Sequence, residues 1–114
     1  MLTQDKSYWT IEPAALREMF YGECAAEDIA LATSRLMPEP AQPLMTPIRV
    51  SDRNFGSVPR IYIQCLRDKA VPPALQKKMY DALPCGRVLS LATDHSPFFS
   101  APELLTEHLL SCLI

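Results

Sequence analysis

Glycine, histidine and long apolar runs are scarce in this chain, and each shortage closes off a class of function. Only three of the 114 residues are glycine (Gly22, Gly56, Gly86) and only two are histidine (His95, His108). No His-x-x-x-His pair or Cys/His cluster exists, so no zinc motif is present. The four cysteines, Cys24, Cys65, Cys85 and Cys112, lie 41, 20 and 27 residues apart. Those separations fit neither a zinc site nor a C-x-x-C redox pair, and all four are expected to be unpaired structural thiols. No apolar stretch reaches the roughly 18 residues of a membrane span. The first residues, MLTQDKSYW, lack the charged region and apolar run of a signal peptide. A cytoplasmic location with no membrane association is the expectation. Net charge is −2 and the basic residues are scattered without interleaved aromatics, so nucleic acid is not expected as a partner.

What is present is an ordinary soluble composition, 48% hydrophobic and 21% charged, with the length of about one small domain. Proline is abundant at 11. Residues 1–10 read as a polar lead-in. A first helix is expected over Glu12–Tyr21, with Pro13 in its first turn, Ile11, Ala15 and Met19 on one face and Gly22 as its stop. A second is expected over Ala25–Met37, with Glu27 and Asp28 favouring its start and Pro38 ending it. Its buried stripe would be Ala26, Ile29, Ala30, Thr33 and Leu36–Met37. Pro38, Pro40, Pro43 and Pro47 make residues 38–47 a stiff, extended connector, either a linker or a strap between layers. Ile48–Val50 could form a short strand, and Ser51–Ser57 a turn around Asn54 and Gly56.

The stretch Arg60–Ser96, RIYIQCLRDKAVPPALQKKMYDALPCGRVLSLATDHS, organises the rest. Arg60–Leu66 is apolar almost without alternation, as in a strand buried on both faces of a parallel sheet. Pro72–Leu83 reads as a helix with Leu75, Met79, Ala82 and Leu83 on its core face and Gln76, Lys77 and Lys78 on the other. Arg87–Leu91 is a second strand. Strand, helix and strand within about 32 residues make a βαβ unit with a right-handed crossover. Ser96–Phe99 reads as a loop. Ser100 and Glu103 then form an S-x-x-E capping box for a last helix running to about Cys112, with Leu105, Leu109, Cys112 and Leu113 inward.

In open α/β sheets the chemistry gathers beyond the carboxyl ends of the strands. Asp68 follows the first strand and His95 the second. Adjacent strands lie roughly 5 Å apart, so the two side chains can meet. An aspartate on one imidazole nitrogen fixes the tautomer and leaves the other nitrogen as a base. Position alone leaves a second reading open, in which Asp68 simply ends a strand in the charged turn Arg67–Lys69 and His95 lies on a surface loop. Asp94 competes as a partner, though adjacent residues rarely face one another. His108, in mid-helix, is read as having no role.

These residues resemble the methyl esterase and hydroxynitrile lyase branch of the α/β-hydrolases, with its bacterial esterase relatives. RIYIQCLRDKAVP is similar to the family's strand before the triad acid, and Ala92–Thr93–Asp94–His95 to the turn before its histidine. Phe55–Arg60 resembles the approach to that strand, and Phe20–Ala32 the end of the helical cap. The match is collinear from about Leu16 to Leu113. The resemblance implies an α/β class, a partial α/β-hydrolase fold made of the end of the helical cap plus the last two parallel strands and helices. It divides the chain into residues 1–47, cap remainder and proline-rich connector, and 48–114, the strand–helix–strand–helix part of the core. It implies Asp68 as orienter and His95 as general acid/base, with no cofactor. Two departures stand out. None of the three glycines forms the G-x-S-x-G elbow that carries the nucleophile, and Ser96 stands where the lyases carry lysine, which favours ester hydrolysis. Ser96, Ser90 and Cys65 are poorly placed to replace the missing serine.

The expectation is therefore the C-terminal portion of a carboxylic ester hydrolase, with triad acid and histidine but no nucleophile, inactive alone. The alternatives are a half-enzyme completed by a partner chain or a non-catalytic interaction module. A small ester would be the substrate once the site is completed, and Phe98–Phe99 could line its pocket. Two strands alone are marginal and leave an apolar edge, so self-association or pairing with another chain is expected.

Overall fold

In the computed structural model, which describes residues 1–113, the elements run in the order β1 (Tyr8–Trp9), α1 (Pro13–Phe20), α2 (Ala26–Arg35), β2 (Glu39–Pro40), α3 (Ala41–Met45), a 3-10 turn (Phe55–Ser57), β3 (Ile61–Cys65), α4 (Pro73–Ala82), β4 (Arg87–Leu91), α5 (Pro97–Ser100) and α6 (Pro102–Leu110). The centre is the parallel pair β3–β4, in register from Ile61 opposite Arg87 to Cys65 opposite Leu91. Its ladder continues past both strand ends, where the Leu66 amide donates to the Leu91 carbonyl (2.8 Å) and the Arg67 amide to the Thr93 carbonyl (2.9 Å). This continuation keeps the two segments side by side up to the loops that hold Asp68 and His95.

The expected βαβ unit is present, but the orientation of its helix is a correction. Gln76 and Tyr80, four residues apart and so on one face, turn toward β3. Gln76 is buried, and the Tyr80 ring lies 5.2 Å from Tyr62 while its hydroxyl donates to the Gln64 side chain (3.4 Å). Leu75, Met79 and Leu83, expected inward, are each about half exposed. The reason lies on the strand. β3 presents Tyr62 and Gln64 to the helix, and the last turn of the strand has backbone groups to satisfy. Gln76 Nε2 donates to the Cys65 carbonyl (2.9 Å) and the Val71 carbonyl (2.7 Å), and its Oε1 accepts from the Cys65 amide (3.0 Å). A leucine there would orphan all three, at about 1–3 kcal/mol for each group left unsatisfied. Nor is β3 buried on both faces: of its residues only Cys65 is buried.

Further expectations are corrected. Residues 38–47 are no extended connector. Glu39–Pro40 pairs antiparallel with Tyr8–Trp9, and α3 follows, with Ala41 buried. Pro43 falls in the first turn of α3, where its missing N–H would have no helical partner anyway. Residues 48–50 form no strand. Residues 96–100, expected as a loop, close a short helical turn, with the Phe99 amide donating to the Ser96 carbonyl (2.9 Å). The S-x-x-E capping box does not form. The Ser100 hydroxyl is drawn to Asp94 (2.8 Å) and the Ser96 carbonyl (3.2 Å), and Ala101 stands at the head of α6. Along α6 and beyond, Leu109 and Leu113 are exposed although expected inward, whereas Leu105 and Cys112 are half-buried.

α2 ends at Arg35, two residues before the expected Met37, with Leu36 already extended. None of its residues is buried, against the stripe expected there, and only Asp28, Ile29 and Ala32 are half-covered. α1 buries Leu16, leaving Ile11 and Met19 outward. Among the described residues only Leu16, Ala41, Cys65 and Leu91 are buried apolar groups, fewer than the five buried polar ones, Asp68, Gln76, Thr93, Asp94 and Ser96. Accessible surface is 8585 Å², whereas a folded monomer of this mass exposes about 6,300 Å². The radius of gyration, 16.2 Å, likewise exceeds the roughly 13 Å of a closed domain of similar length.

Candidate active site

The turn after β3 is built by Asp68 itself. Its Oδ1 accepts hydrogen bonds from the Ala70 and Val71 amides, both 2.8 Å, an aspartate turn that brings the chain round toward α4. Its Oδ2 is thereby left facing the neighbouring loop, where it meets His95 Nδ1 at 2.9 Å. Asp68 is 7% exposed, and the His95 side chain is about one-third exposed. A carboxylate can only accept, so Nδ1 carries the proton in this contact and Nε2 keeps its lone pair. Asp68 and His95 are thus brought together as the positions of the strand ends implied. Asp94 is not the partner of the imidazole.

Three further residues shape this site: sequence reasoning gave Phe20 and Gln76 no part in it and weighed Asp94 only as a partner of the imidazole. Phe20, at the end of α1, sets its ring edge-on to the His95 imidazole, with centroids 4.9 Å apart and planes at 87°. Gln76 buttresses the Asp68 turn from below. Asp94, 4% exposed, receives bonds on both oxygens: Oδ1 from the Ser96 amide (3.1 Å) and the Ser100 hydroxyl (2.8 Å), Oδ2 from the Glu23 amide (2.9 Å) and the Cys24 thiol (3.5 Å). Burial alone would raise the Asp94 carboxyl. The bonds from Glu23, Ser100 and Ser96 outweigh it and hold the group below its ordinary range. A buried carboxylate can only persist with such a donor set, and an Asp directly before the candidate histidine was the one available signal for it.

The surrounding groups do not supply a nucleophile. Burial, followed by the Asp94 charge, pushes the Cys24 thiol up to about 12, and burial also raises Cys65. Both are poor thiolates. Ser96 is fully buried, and the Ser90 hydroxyl lies on β4 accepting from Gln64 Nε2 (2.7 Å). All four cysteines are free thiols. His108 Nε2 lies 3.1 Å from the Ser90 carbonyl, away from the pair. Phe99 lies 6.1 Å from Tyr21, and Phe98 is exposed. A groove of about 410 Å³ lies beside Asp94, lined by Glu18, Met19, Glu23, Arg67 and Lys69 among others. It is charged, and neither Asp68 nor His95 lines it. Among the described residues no group of three metal-ligating side chains occurs, and no helix is long and apolar enough to cross a membrane.

A parallel strand pair with an acid loop and a histidine loop at its carboxyl end is a partial α/β-hydrolase fold, and known structures agree. Polyneuridine aldehyde esterase superposes with a TM-score of 0.83 at 27% identity, over 90% of this chain and 42% of that one. No family model matches the chain. Among curated proteins, putative methylesterase 11, chloroplastic, of Arabidopsis thaliana is 36% identical over 101 residues, 88% of this chain and 26% of the relative. The pyrethroid hydrolase of Sphingobium wenxiniae is 34% identical over 93 residues, 81% of this chain and 33% of the relative. The chain is thus similar to part of the methylesterases and related esterases of the α/β-hydrolase fold. It spans a quarter to a third of the length of these curated relatives.

Proposed function

We propose that this chain carries the acid and the histidine of a carboxylic ester hydrolase and works only when another polypeptide segment supplies the nucleophile. The observation that carries the reading is the Asp68 Oδ2–His95 Nδ1 contact of 2.9 Å, with the second Asp68 oxygen held by two backbone amides. In this reading Asp68 holds the imidazole in the Nδ1–H tautomer, and His95 Nε2 takes the proton of an incoming hydroxyl. It then returns the proton to the alkoxide that leaves. Acyl transfer to water follows through the same nitrogen. The names of the relatives, methylesterase and pyrethroid hydrolase, support a small carboxylic ester as substrate. The chemistry calls for no cofactor.

Completion by a second polypeptide is supported by the surface. The excess over a closed monomer is on the order of 2,000 Å², more than the roughly 800 Å² that each partner of a stable interface buries. It includes the outward apolar residues Leu75 and Met79 of α4 and Leu83 just after it. The test uses a fluorophosphonate probe. The chain alone should remain unlabelled. Mixed with a polypeptide bearing the family's G-x-S-x-G elbow, it should restore labelling of that partner and methyl ester hydrolysis. A chain that is labelled and active by itself would overturn the proposal. A mixture that binds but stays inactive would favour a non-catalytic interaction module.

A further inference from the structure

Two loops and one helix meet at His95, yet the Asp68 bond fixes only one ring nitrogen. Rotation about the Nδ1–Asp68 axis remains, and something else must hold the ring plane. Phe20 does so, edge to face, but Phe20 belongs to α1, far from the histidine loop in the chain. The link between them is Asp94. Its Oδ1 closes the histidine loop onto itself through the Ser96 amide and the Ser100 hydroxyl. Its Oδ2 holds the turn after α1 through the Glu23 amide and the Cys24 thiol. That turn is closed by the Cys24 amide on the Tyr21 carbonyl (3.3 Å), immediately after Phe20. A second tie comes from Arg67, whose Nη2 donates to Glu23 (2.7 Å). This pair is exposed at the surface, unlike the buried Asp94 bonds.

We propose that Asp94 is a positioning residue, a buried carboxylate that locks the Phe20 turn to the histidine loop and thereby sets the plane of the His95 ring. It acts through Phe20 and touches no reacting atom. The inference rests on the reading of His95 as the general acid/base, but its geometry can be tested without activity. Both loop and helix are needed at once, and only a group with two acceptors can face donors on both sides. Asparagine cannot: whichever way its amide turns, one flank meets a donor with a donor.

The experiment is nuclear magnetic resonance on the 114-residue chain. With only two histidines, His95 and His108, a His108→Gln variant isolates the ring of interest. The parent chain should show a Phe20–His95 ring cross-peak and a protonated Nδ1. Asp68→Asn should lose the Nδ1–H preference and keep the cross-peak. Asp94→Asn should do the reverse, with the cross-peak lost or weakened several-fold while Nδ1–H persists. A cross-peak of undiminished strength in Asp94→Asn overturns the proposal. Should that variant fail to fold, Cys24→Ala/Ser100→Ala removes one donor from each flank. A weakened cross-peak there supports the lock, and an unchanged one overturns it. In the complemented esterase, Asp94→Asn should lower kcat with KM little changed. If the complemented parent enzyme is inactive, the hydrolase reading fails while the ring cross-peak still decides the role of Asp94.

Discussion

The loops above β3 and β4 and the outer faces of the helices follow opposite rules. Above the strands, three buried polar side chains are well bonded: Asp68, Asp94 and Gln76 each make three or more hydrogen bonds. On the outer faces, apolar groups stand in solvent, among them Leu31, Leu44, Met45, Leu75 and Met79, with Leu44 64% exposed. A closed domain would reverse this balance. The difference teaches that the candidate site is organised by hydrogen bonds local to the βαβ unit and the turn after α1. The hydrophobic closure that normally stabilises a domain has no partner within these residues.

If this contrast is functional, the largest effects belong to the pair itself. In an esterase completed by a nucleophile-bearing polypeptide, His95→Ala should lower kcat by about 10⁴-fold or more, and Asp68→Asn by a comparable factor, measured by methyl ester hydrolysis. Equal activity of parent and His95→Ala would remove the pair from the mechanism.

Next comes the buried polar support. Gln76→Leu keeps a side chain of similar size but leaves the Cys65 amide and the Cys65 and Val71 carbonyls without a partner. At about 1–3 kcal/mol for each of the three groups, it should cost at least about 3 kcal/mol in chemical denaturation of whatever assembly the chain forms. The outward faces offer the opposite outcome. Leu75→Lys with Met79→Lys should leave secondary structure intact and shift sedimentation from associated species toward monomer. If the parent chain is itself a compact monomer, the exposed faces are not an association surface and the comparison loses half its meaning.

Acid should reveal the Asp94 carboxylate. Its folded value lies below its unfolded one because its donors favour the charged form. Its contribution is therefore fully present above about 3.8, the ordinary value, and is lost as pH falls through the lower folded value. Asp94→Asn should flatten the acid limb of a stability-versus-pH curve. The smallest effect is expected from the exposed Lys77–Asp81 pair, 2.6 Å apart on α4. Lys77→Ala should change stability by no more than about 0.5 kcal/mol.

Much of this arrangement was legible in the residues. The run IYIQC followed by Asp68 and the run RVLSL followed by Asp94–His95 located two strands and the groups at their tops, because strand patterning and strand-end chemistry are local. The helices of residues 13–35 and 102–110 were legible from their prolines and acidic first turns. Three features were not. Helix orientation in α4 failed because periodicity identifies two faces but not which one meets a partner, and Gln76 serves backbone groups that no pattern displays. The β1–β2 pair and α3 were hidden by proline content, which counts donors but not who needs them. The capping box at Ser100 failed because Asp94 offered the hydroxyl a charged, buried acceptor.

Chain order and side-chain chemistry alone therefore determined the strand–helix–strand unit, the family likeness and the candidacy of Asp68 and His95. Only the tertiary structure decided that Asp68 rather than Asp94 holds the imidazole. That choice depends on the ladder continuing past Cys65 and Leu91, which sets the two loops side by side. The structure also decided that Phe20, Glu23 and Cys24 belong to the site. They lie some 70 residues from Asp94 in the chain, and contacts at that separation come from packing, which no local pattern encodes.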